Sequence, residues 1–261
     1  MNIKIIYEDE DILVIDKPSG ITVNRADTEK EETIQDWAEH YLKITNPKLQ
    51  TPSKLQDSNN KKKLEFGALD LEFAIRAGVV HRLDKETSGL LLIAKNPKSF
   101  LALQKQFKQR KVEKVYLALV HGEVRPDRGE INVPVGRLPY NRTRFGIVVG
   151  GRDSVTSYRV ISNFQFPISN ERFTLLELYP KTGRTHQIRV HLKYINHPVF
   201  SDPLYAGRKT ARKDRQILPR LFLHASKISF QHPKTNKIIF LESPLPQELV
   251  NFLSTPSEVS I

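Results

Sequence analysis

The residue types most capable of chemistry in this sequence stand together between Val79 and Lys95. Two basic residues, His81 and Arg82, precede Asp84, and a Thr-Ser-Gly turn at 87–89 leads into four consecutive branched aliphatic residues. The aliphatic run predicts a buried strand, which would present Asp84 at the edge of a low-dielectric core. A carboxylate held there beside cationic groups stays ionised and fixed in direction, as a nucleophile or a proton acceptor must be. The alternative is an ordinary surface ion pair next to an ordinary turn.

The charge of the chain favours a polyanionic partner. Lys and Arg number 41 against 29 for Asp and Glu, which gives a formal net charge of +12, and the excess extends along the whole chain. A balance this basic indicates a nucleic-acid partner, although basic residues also serve solubility alone.

The composition excludes several chemistries. There is no cysteine, so a thiolate nucleophile, a disulfide framework and a cysteine-ligated zinc site are ruled out. The closest histidine pairs, His186/His191 and His191/His197, lack the i, i+4 spacing that places two imidazoles on one helical face, and we expect no metal. The glycines of the basic loop at 136–152 match neither dinucleotide-binding nor phosphate-loop spacing, so we expect no nucleotide cofactor.

Predicted strands outnumber helices, and short turns join most neighbours. This predicts an α+β fold with a large antiparallel or mixed sheet, flanking helices and a central basic cleft that crosses the sheet at Asp84. The predicted strands cover residues 3–6, 12–15, 90–93, 114–120, 130–135, 154–161, 173–179, 221–226, 228–232 and 238–241. The predicted helices cover 32–42, a segment starting at Asn96-Pro97 with its cap and first-turn proline, 186–195, and a short segment ending near 252.

Four further polar residues are candidates for a site near Asp84. Lys17 leaves the first hairpin in a Lys-Pro-Ser-Gly turn, and Tyr116 lies in an alternating strand. His186 and Arg189 follow a Thr-Gly turn on the polar face of a predicted helix. An arginine in that position can lie against a carboxylate from another loop. Lys17 is equally compatible with a solvated lysine, and Tyr116 with a half-buried strand residue.

Three segments together carry a family resemblance. The run His-Arg-Leu-Asp-x-x-Thr-Ser-Gly-Leu-Leu-x-x-Ala-Lys from His81 closely resembles the signature of the RluA family of RNA pseudouridine synthases. Lys-x-Tyr-x-Ala-x-Val-x-Gly from Lys114 and the segment 180–195 are similar to that family in the same order. The likeness extends from about residue 5 to 245, with Asn196 and Ser201 where the family usually has glycine.

The resemblance implies the pseudouridine synthase fold and a reaction in which uridine within RNA becomes pseudouridine, without a cofactor. Asp84 would be the catalytic aspartate, Arg189 would hold it ionised, and Tyr116 would pack against the target base and take part in proton transfer. Asp84 could attack the sugar or the base, or take the proton from the 2′ carbon. Arg82 would fill the position that the flipped base leaves. The other expected RNA contacts are His81, Thr87, Arg184, His186 and Lys17.

The whole chain, residues 1–261, is expected to form a single catalytic domain with a polar surface insertion at about 46–63. Because the sequence starts directly with the first predicted strands, we do not expect the small S4-like RNA-binding module that many relatives carry. No segment has the roughly eighteen apolar residues that span a bilayer. A cytoplasmic monomer is expected.

One alternative from another class remains, a non-catalytic RNA-binding or ribosome-assembly factor with the same fold. An intact Asp84, Tyr116 and Arg189 argue against it, because a pure binder gains little from a carboxylate that faces phosphate. The RNA target, ribosomal or transfer RNA, stays open, since phosphate contacts carry no sequence information.

Overall fold

The computed structural model describes residues 1–26, 29–45, 68–165 and 171–254, so the predicted insertion at 46–63 lies outside the described residues. The strands are β1 (Lys4–Glu8), β2 (Ile12–Lys17), β3 (Ser88–Ala94), β4 (Glu113–His121), β5 (Arg128–Asn132), β6 (Val135–Leu138), β7 (Asn141–Ile147), β8 (Val155–Gln165), β9 (Arg172–Pro180), β10 (Leu223–Gln231) and β11 (Ile238–Glu242). The helices are α1 (Ile34–Thr45), α2 (Ala68–Arg76), α3 (Pro97–Lys108), α4 (Gln187–Tyr194), α5 (Arg208–Ile217) and α6 (Gln247–Ser254). None of these helices has the length and hydropathy needed to cross a membrane.

One large mixed sheet organises the molecule. Its strands follow the order β1-β2-β3-β10-β4-β9-β8-β5, and β11 pairs with the C-terminal half of β10. Each pair is antiparallel except β3 with β10, where Ser88 lies opposite His224 and Gly89 opposite Ala225. The strands β6 and β7 form a separate hairpin. The predicted α+β fold with a large mixed sheet is therefore confirmed.

The parallel pairing of β3 with β10 depends on a glycine. A Cβ on Gly89 would come within 2.2 Å of the carbonyl oxygen of Ala225, and the φ of 111° at Gly89 disfavours any side chain. The absence of a side chain therefore allows the two backbones to approach closely.

The core fixes β3 on both faces of the sheet. Every residue of this strand is buried, and the same hydrophobic cluster contains Phe100 and Leu103 of α3 and Ile34 and Ala38 of α1. Burying one Leu, Ile or Phe side chain stabilises the fold by about 1.5–3 kcal/mol. The loop that leads into β3 is therefore attached to one of the most firmly packed strands.

The predicted elements are present with shifted ends, but there are five differences. One is that the basic loop at 136–152 contains β7, which was not predicted. The predicted strand at 130–135 divides between β5 and β6, and the two predicted at 221–226 and 228–232 form one strand with an irregularity between Ala225 and Lys227. The helices α2 and α5 were not predicted. In α5 only Ala211 and Asp214 are buried, so it has almost no apolar face from which a helix could be recognised.

Lys17, at the end of β2, is fully buried. Its Nζ donates hydrogen bonds to the carbonyl oxygens of Pro18 and Ile21, both at 2.8 Å, and of Lys85 at 2.9 Å. An ammonium group has three hydrogens, so each one has an acceptor. Because Lys85 follows Asp84 directly, this lysine attaches the end of β2 to the loop that carries the aspartate.

The buried Lys17 predicts a pH dependence of stability. Burial, and then the charge of Arg220, lower the pKa of Lys17 to about 7, although Asp84 acts to raise it. The ordinary value is 10.5, so between these pH values the unfolded chain binds more protons and stability rises with pH. We expect the free energy of unfolding of the wild type to gain on the order of 3 kcal/mol relative to Lys17→Met between pH 7 and pH 10, measured by urea denaturation.

Lys4→Met provides the matched control, because Lys4 is exposed on β1 and its removal should change stability by the same amount at each pH. A Lys17→Met difference that stays constant from pH 7 to pH 10 would contradict the lowered pKa.

Candidate active site

Asp84 lies in the loop between α2 and β3, which we call the aspartate loop (residues 81–87). The N-terminal hairpin contacts the main chain of this loop at Glu86. The carbonyl oxygen of Glu86 accepts a hydrogen bond of 2.7 Å from Ser19 Oγ. The carboxylate of Glu86 binds the guanidinium of Arg215 in α5 through two hydrogen bonds, of 2.8 and 3.0 Å. Asp84 is therefore presented by a loop anchored at both the N-terminal hairpin and α5.

Arg189 of α4 makes the closest charged contact with Asp84. Its Nη1 lies 3.0 Å from Asp84 Oδ2, while its Nε and Nη2 each lie 2.8 Å from one oxygen of Asp202. Burial disfavours the charged guanidinium, but hydrogen bonds to Asp202 and the charges of both aspartates outweigh it and raise the pKa of Arg189 above its ordinary value. A charged arginine is thus fixed against one oxygen of Asp84.

Asp202 is a site residue to which the sequence assigned no role. It is fully buried, and its Oδ1 also accepts hydrogen bonds from the backbone N–H groups of Leu204 and Tyr205, at 2.9 and 3.1 Å. Its charge is therefore fully compensated by Arg189 and by the main chain. The available signal was its position directly after Ser201, one of the two residues that stand where the family usually has glycine.

The helix that carries Arg189 differs from the prediction in one respect. The predicted polar face is covered at Arg189, which is 6% exposed, and His191 on the same helix is fully buried. His191 lies 2.9 Å from Thr156 Oγ1 and 3.1 Å from the carbonyl oxygen of Val133. Arg189 and His191 thus bond to groups of the protein interior, whereas Lys193 on the same helix is exposed.

Tyr116 of β4 lines the same cleft as Asp84. It pairs with Ala225 of β10 on one side and Leu178 of β9 on the other, which places it in the centre of the sheet. Burial, and then the negative charge of Asp84, raise the pKa of its hydroxyl. The hydroxyl therefore stays protonated and can donate a hydrogen bond.

The cleft that contains these residues has a volume of about 480 Å³. Seven basic residues line it, namely Arg82, Lys108, Arg110, Lys114, Lys181, Arg184 and Arg189. Asp84 is the one carboxylate among the described lining residues. Such a concentration of positive charge attracts phosphate groups, so the cleft is suited to draw a nucleic-acid strand across Asp84. The sequence had not assigned Lys114 or Lys181 to the site.

His186 lies at the N-terminal end of α4, next to Asp84. Its Nδ1 is 2.9 Å from the hydroxyl of Tyr205, and its Nε2 is 4.0 Å from Asp84 Oδ1. Burial lowers the pKa of the imidazole more than the charge of Asp84 raises it. The structure thus brings together Asp84, Tyr116, Arg189 and His186, as the sequence predicted for the site.

The other predicted RNA contacts differ in exposure. Arg82 is exposed at the cleft, and Arg184 is half-buried with its Nε 3.2 Å from the carbonyl oxygen of Asp153. Thr87 lines the cleft but is only 2% exposed. Both arginines are thus accessible to RNA, whereas Thr87 is nearly closed off.

His81 and Lys17 are held by contacts within the protein, whereas the sequence predicted that both would contact RNA. His81 Nε2 accepts a hydrogen bond of 3.0 Å from the backbone N–H of Leu92, and its ring stacks on Phe107 at 4.9 Å. Burial, and then the nearby charges of Lys114 and Arg76, lower its pKa to about 3, so the ring is neutral. Lys17 is fully buried with all three hydrogens bonded, so it is not available for the expected contact with RNA.

Comparison with known proteins agrees with this geometry. A family model described as RNA pseudouridylate synthase matches residues 11–194. An uncharacterized RNA pseudouridine synthase of Bacillus subtilis is 35% identical over 253 residues, which cover 97% of this chain and 72% of the relative. The ribosomal large subunit pseudouridine synthase D of Pseudomonas aeruginosa is 34% identical over 262 residues, which cover 97% of this chain and 72% of that relative. The solved structure of human RNA pseudouridylate synthase domain containing 1 is 25% identical, covers 98% of this chain and 97% of that one, and has a TM-score of 0.66.

A mixed sheet with a basic cleft and an arginine-held carboxylate fits an enzyme that acts on a polyanionic chain. The chain belongs to the RNA pseudouridylate synthase family, and it is an isomerase that converts uridine in RNA to pseudouridine. The resemblance seen in the sequence, and the pseudouridine synthase fold that it implied, are confirmed.

The buried contact between Arg189 and Asp202 predicts a large loss of stability when it is broken. Asp202→Ala leaves a nearly buried guanidinium with only Asp84 as its partner. Removing one member of a buried ion pair costs about 3 to 5 kcal/mol, and we expect a loss of this size in the free energy of unfolding measured by urea denaturation.

Asp127→Ala is the control, because Asp127 is exposed and its loss should change the free energy by less than about 0.5 kcal/mol. Equal stability of Asp202→Ala and the wild type would show that Arg189 does not need this partner.

Proposed function

We propose that Asp84 is the catalytic group of this pseudouridine synthase and that Arg189 keeps it ionised and oriented. The single observation that supports this most is the 3.0 Å contact between Arg189 Nη1 and Asp84 Oδ2 inside a cleft with no other described carboxylate. That contact occupies one carboxylate oxygen and leaves Oδ1 to face the substrate.

The chemistry fits an isolated carboxylate. The bond from the sugar to nitrogen 1 of uracil breaks and a bond from the sugar to carbon 5 forms. The proton of carbon 5 leaves, and nitrogen 1 takes up a proton, so the product is an isomer of the substrate. No electron is gained or lost overall, so the balance needs no oxidant or reductant. Asp84 either attacks the sugar or the base as a nucleophile, or takes the proton of the 2′ carbon as a base. Each role requires the ionised form that Arg189 favours.

Tyr116 is proposed to pack against the target base. Its hydroxyl, which lies in the centre of the sheet near Asp84, is protonated before the substrate binds. The hydroxyl can therefore donate a hydrogen bond to the uracil ring, but it does not start as a proton acceptor. The ring also offers an apolar surface on which the base can stack.

The substrate is proposed to be ribosomal RNA of the large subunit. The relative from Pseudomonas aeruginosa carries that substrate in its name and aligns with 97% of this chain. The basic residues of the cleft supply affinity through phosphate contacts, with Arg82 and Arg184 as the accessible arginines among the predicted ones. We further propose that the protein acts as a monomer in the cytoplasm.

Substituting Asp84→Asn should abolish conversion without loss of RNA binding. The amide keeps the shape of the side chain but cannot act as a nucleophile or a base, so we expect the rate to fall by about 10²-fold or more. Tritium release from carbon-5-labelled uridine in total RNA of a strain lacking the gene measures conversion. Filter binding of the same RNA measures affinity, which should be equal or tighter because a negative charge facing phosphate is removed.

Asp127→Asn, at an exposed turn, is the matched control and should release tritium like the wild type. Conversion by Asp84→Asn at the wild-type rate would remove Asp84 from the mechanism. Tight RNA binding without any release by the wild type would support the alternative of a binding factor.

We predict that the loss of Arg82 slows the conversion of uridine in structured RNA more than in unstructured RNA. A base in a stem must leave its stack at a cost of a few kcal/mol, and an exposed arginine beside Asp84 is placed to fill the vacated position. Arg82→Ala should therefore reduce conversion of a uridine in a stem-loop about tenfold more than conversion in a short single strand carrying the same sequence.

Arg184→Ala is the comparison variant, because an arginine that only contacts phosphate should affect both RNAs by similar factors. Equal losses on both RNAs for Arg82→Ala would count against the proposed role.

A further inference from the structure

We propose that His186 recognises the ribose of the target nucleotide by donating a hydrogen bond from Nε2 to the 2′-hydroxyl, and that Tyr205 sets the tautomer required for this donation. The inference rests on the proposed function, because the place of the reacting sugar follows from the position of Asp84. It assigns to His186 a specificity-determining role and to Tyr205 a positioning role.

The tautomer of His186 follows from the partners of Tyr205. The tyrosine hydroxyl accepts a hydrogen bond of 3.2 Å from the backbone N–H of Phe145 and lies 2.9 Å from His186 Nδ1. Among the partners of this hydroxyl in the described part of the chain, Nδ1 is the one that can accept its hydrogen. Nδ1 is then the acceptor, and the single hydrogen of the neutral ring lies on Nε2.

That Nε2–H group lies close to the oxygen of Asp84 that Arg189 does not contact. Arg189 occupies Oδ2 at 3.0 Å, whereas Oδ1 lies 4.0 Å from His186 Nε2. A separation of 4.0 Å is too long for a direct hydrogen bond. The donor therefore has no partner in Asp84 itself and is available to an oxygen of the substrate beside it.

The position of the sugar identifies this oxygen. If Asp84 attacks the anomeric carbon or takes the proton of the 2′ carbon, its Oδ1 must approach that carbon to about 3–3.5 Å. The 2′-oxygen is bonded to the 2′ carbon, and it is two bonds away from the anomeric carbon. In both sugar-directed mechanisms it therefore lies beside Oδ1, within reach of a donor 4.0 Å from Oδ1.

The backbone of His186 supports a functional position. The residue has φ of 56° and ψ of 18°, in the left-handed region, and makes no side-chain capping bond at the start of α4. Such conformations are disfavoured for residues other than glycine, and they cluster at active sites where the surroundings enforce them.

The ring of His186 is fixed by edge contacts with Phe145 and Tyr205, at 5.6 and 5.7 Å. The guanidinium of Arg189 lies over the Tyr205 ring at 5.1 Å, so one tyrosine orients both neighbours of Asp84.

The contact would let the enzyme distinguish RNA from DNA at the reacting nucleotide, because the 2′-hydroxyl is the group that differs between them. The basic residues of the cleft cannot make this distinction, because RNA and DNA carry the same phosphate groups.

The test compares two RNAs that differ by one oxygen. One carries the mapped target uridine, and the other carries 2′-deoxyuridine at that position only; mass spectrometry of nuclease digests measures product formation and hence kcat/KM. The wild type should prefer uridine about fivefold to tenfold, the range expected of one neutral hydrogen bond. His186→Ala should lose about this factor on uridine and show almost no preference.

Two pairs of variants separate the hydrogen bond from structural damage. His186→Gln can place an amide donor near the position of Nε2 and should keep part of the preference, whereas the shorter His186→Asn should not. Tyr205→Phe should reduce the preference while the protein remains folded in thermal denaturation. If His186→Ala fails to fold, the Gln and Asn variants provide the same comparison.

Arg184→Ala is the control and should lower kcat/KM for both RNAs while keeping the wild-type preference. The proposal is overturned if His186→Ala keeps the wild-type preference, or if the wild type shows none. Its failure is distinguishable from failure of the proposed function, which would appear as wild-type activity in Asp84→Asn.

Discussion

The guanidinium of Arg189, held between two carboxylates, is the interaction on which the rest of the site depends. Burying a cation is expensive unless its charge and its hydrogen-bond donors are all compensated. Asp202 provides two of the acceptors and is itself satisfied by two backbone N–H groups. The remaining face of the arginine can then be committed to Asp84. Asp202 thus offsets the cost of burying the cation that contacts Asp84.

Holding Asp84 against this arginine requires the aspartate loop to be fixed from several directions. The end of β2 binds its main chain through Lys17 and Ser19, and α5 binds Glu86 through Arg215. Together with β3 and α4, these contacts give the carboxylate a defined position, which limits the reorganisation needed when the substrate arrives.

The sequence predicted the parts of the site that have a local signal. Asp84 stands before an unmistakable buried strand, and the pairing of Arg189 with a carboxylate from another loop is present. Asp202 has no local signal of its role, because its partner is thirteen residues away on a helix. Lys17 and His81 look like solvent-facing basic residues until the packing around them is known. Burial depends on contacts between distant segments, so residue type alone could not show that these two side chains are enclosed.

The parallel pairing of β3 with β10 also determines when the site can form during folding. Ser88, next to the aspartate loop, bonds to His224 of β10, 136 positions further along the chain. A contact between such distant residues closes a very long loop, and contacts of this kind form late. Arg189 binds Asp84, Asp202 binds Arg189, and Arg215 binds Glu86 of the aspartate loop. All three of these residues lie between β9 and β10 in the sequence. During synthesis, which proceeds from the N-terminus, most of the sheet is therefore made before its catalytic centre can assemble. A partly synthesised chain that ends before α4 would contain Asp84 but not the arginine that holds it.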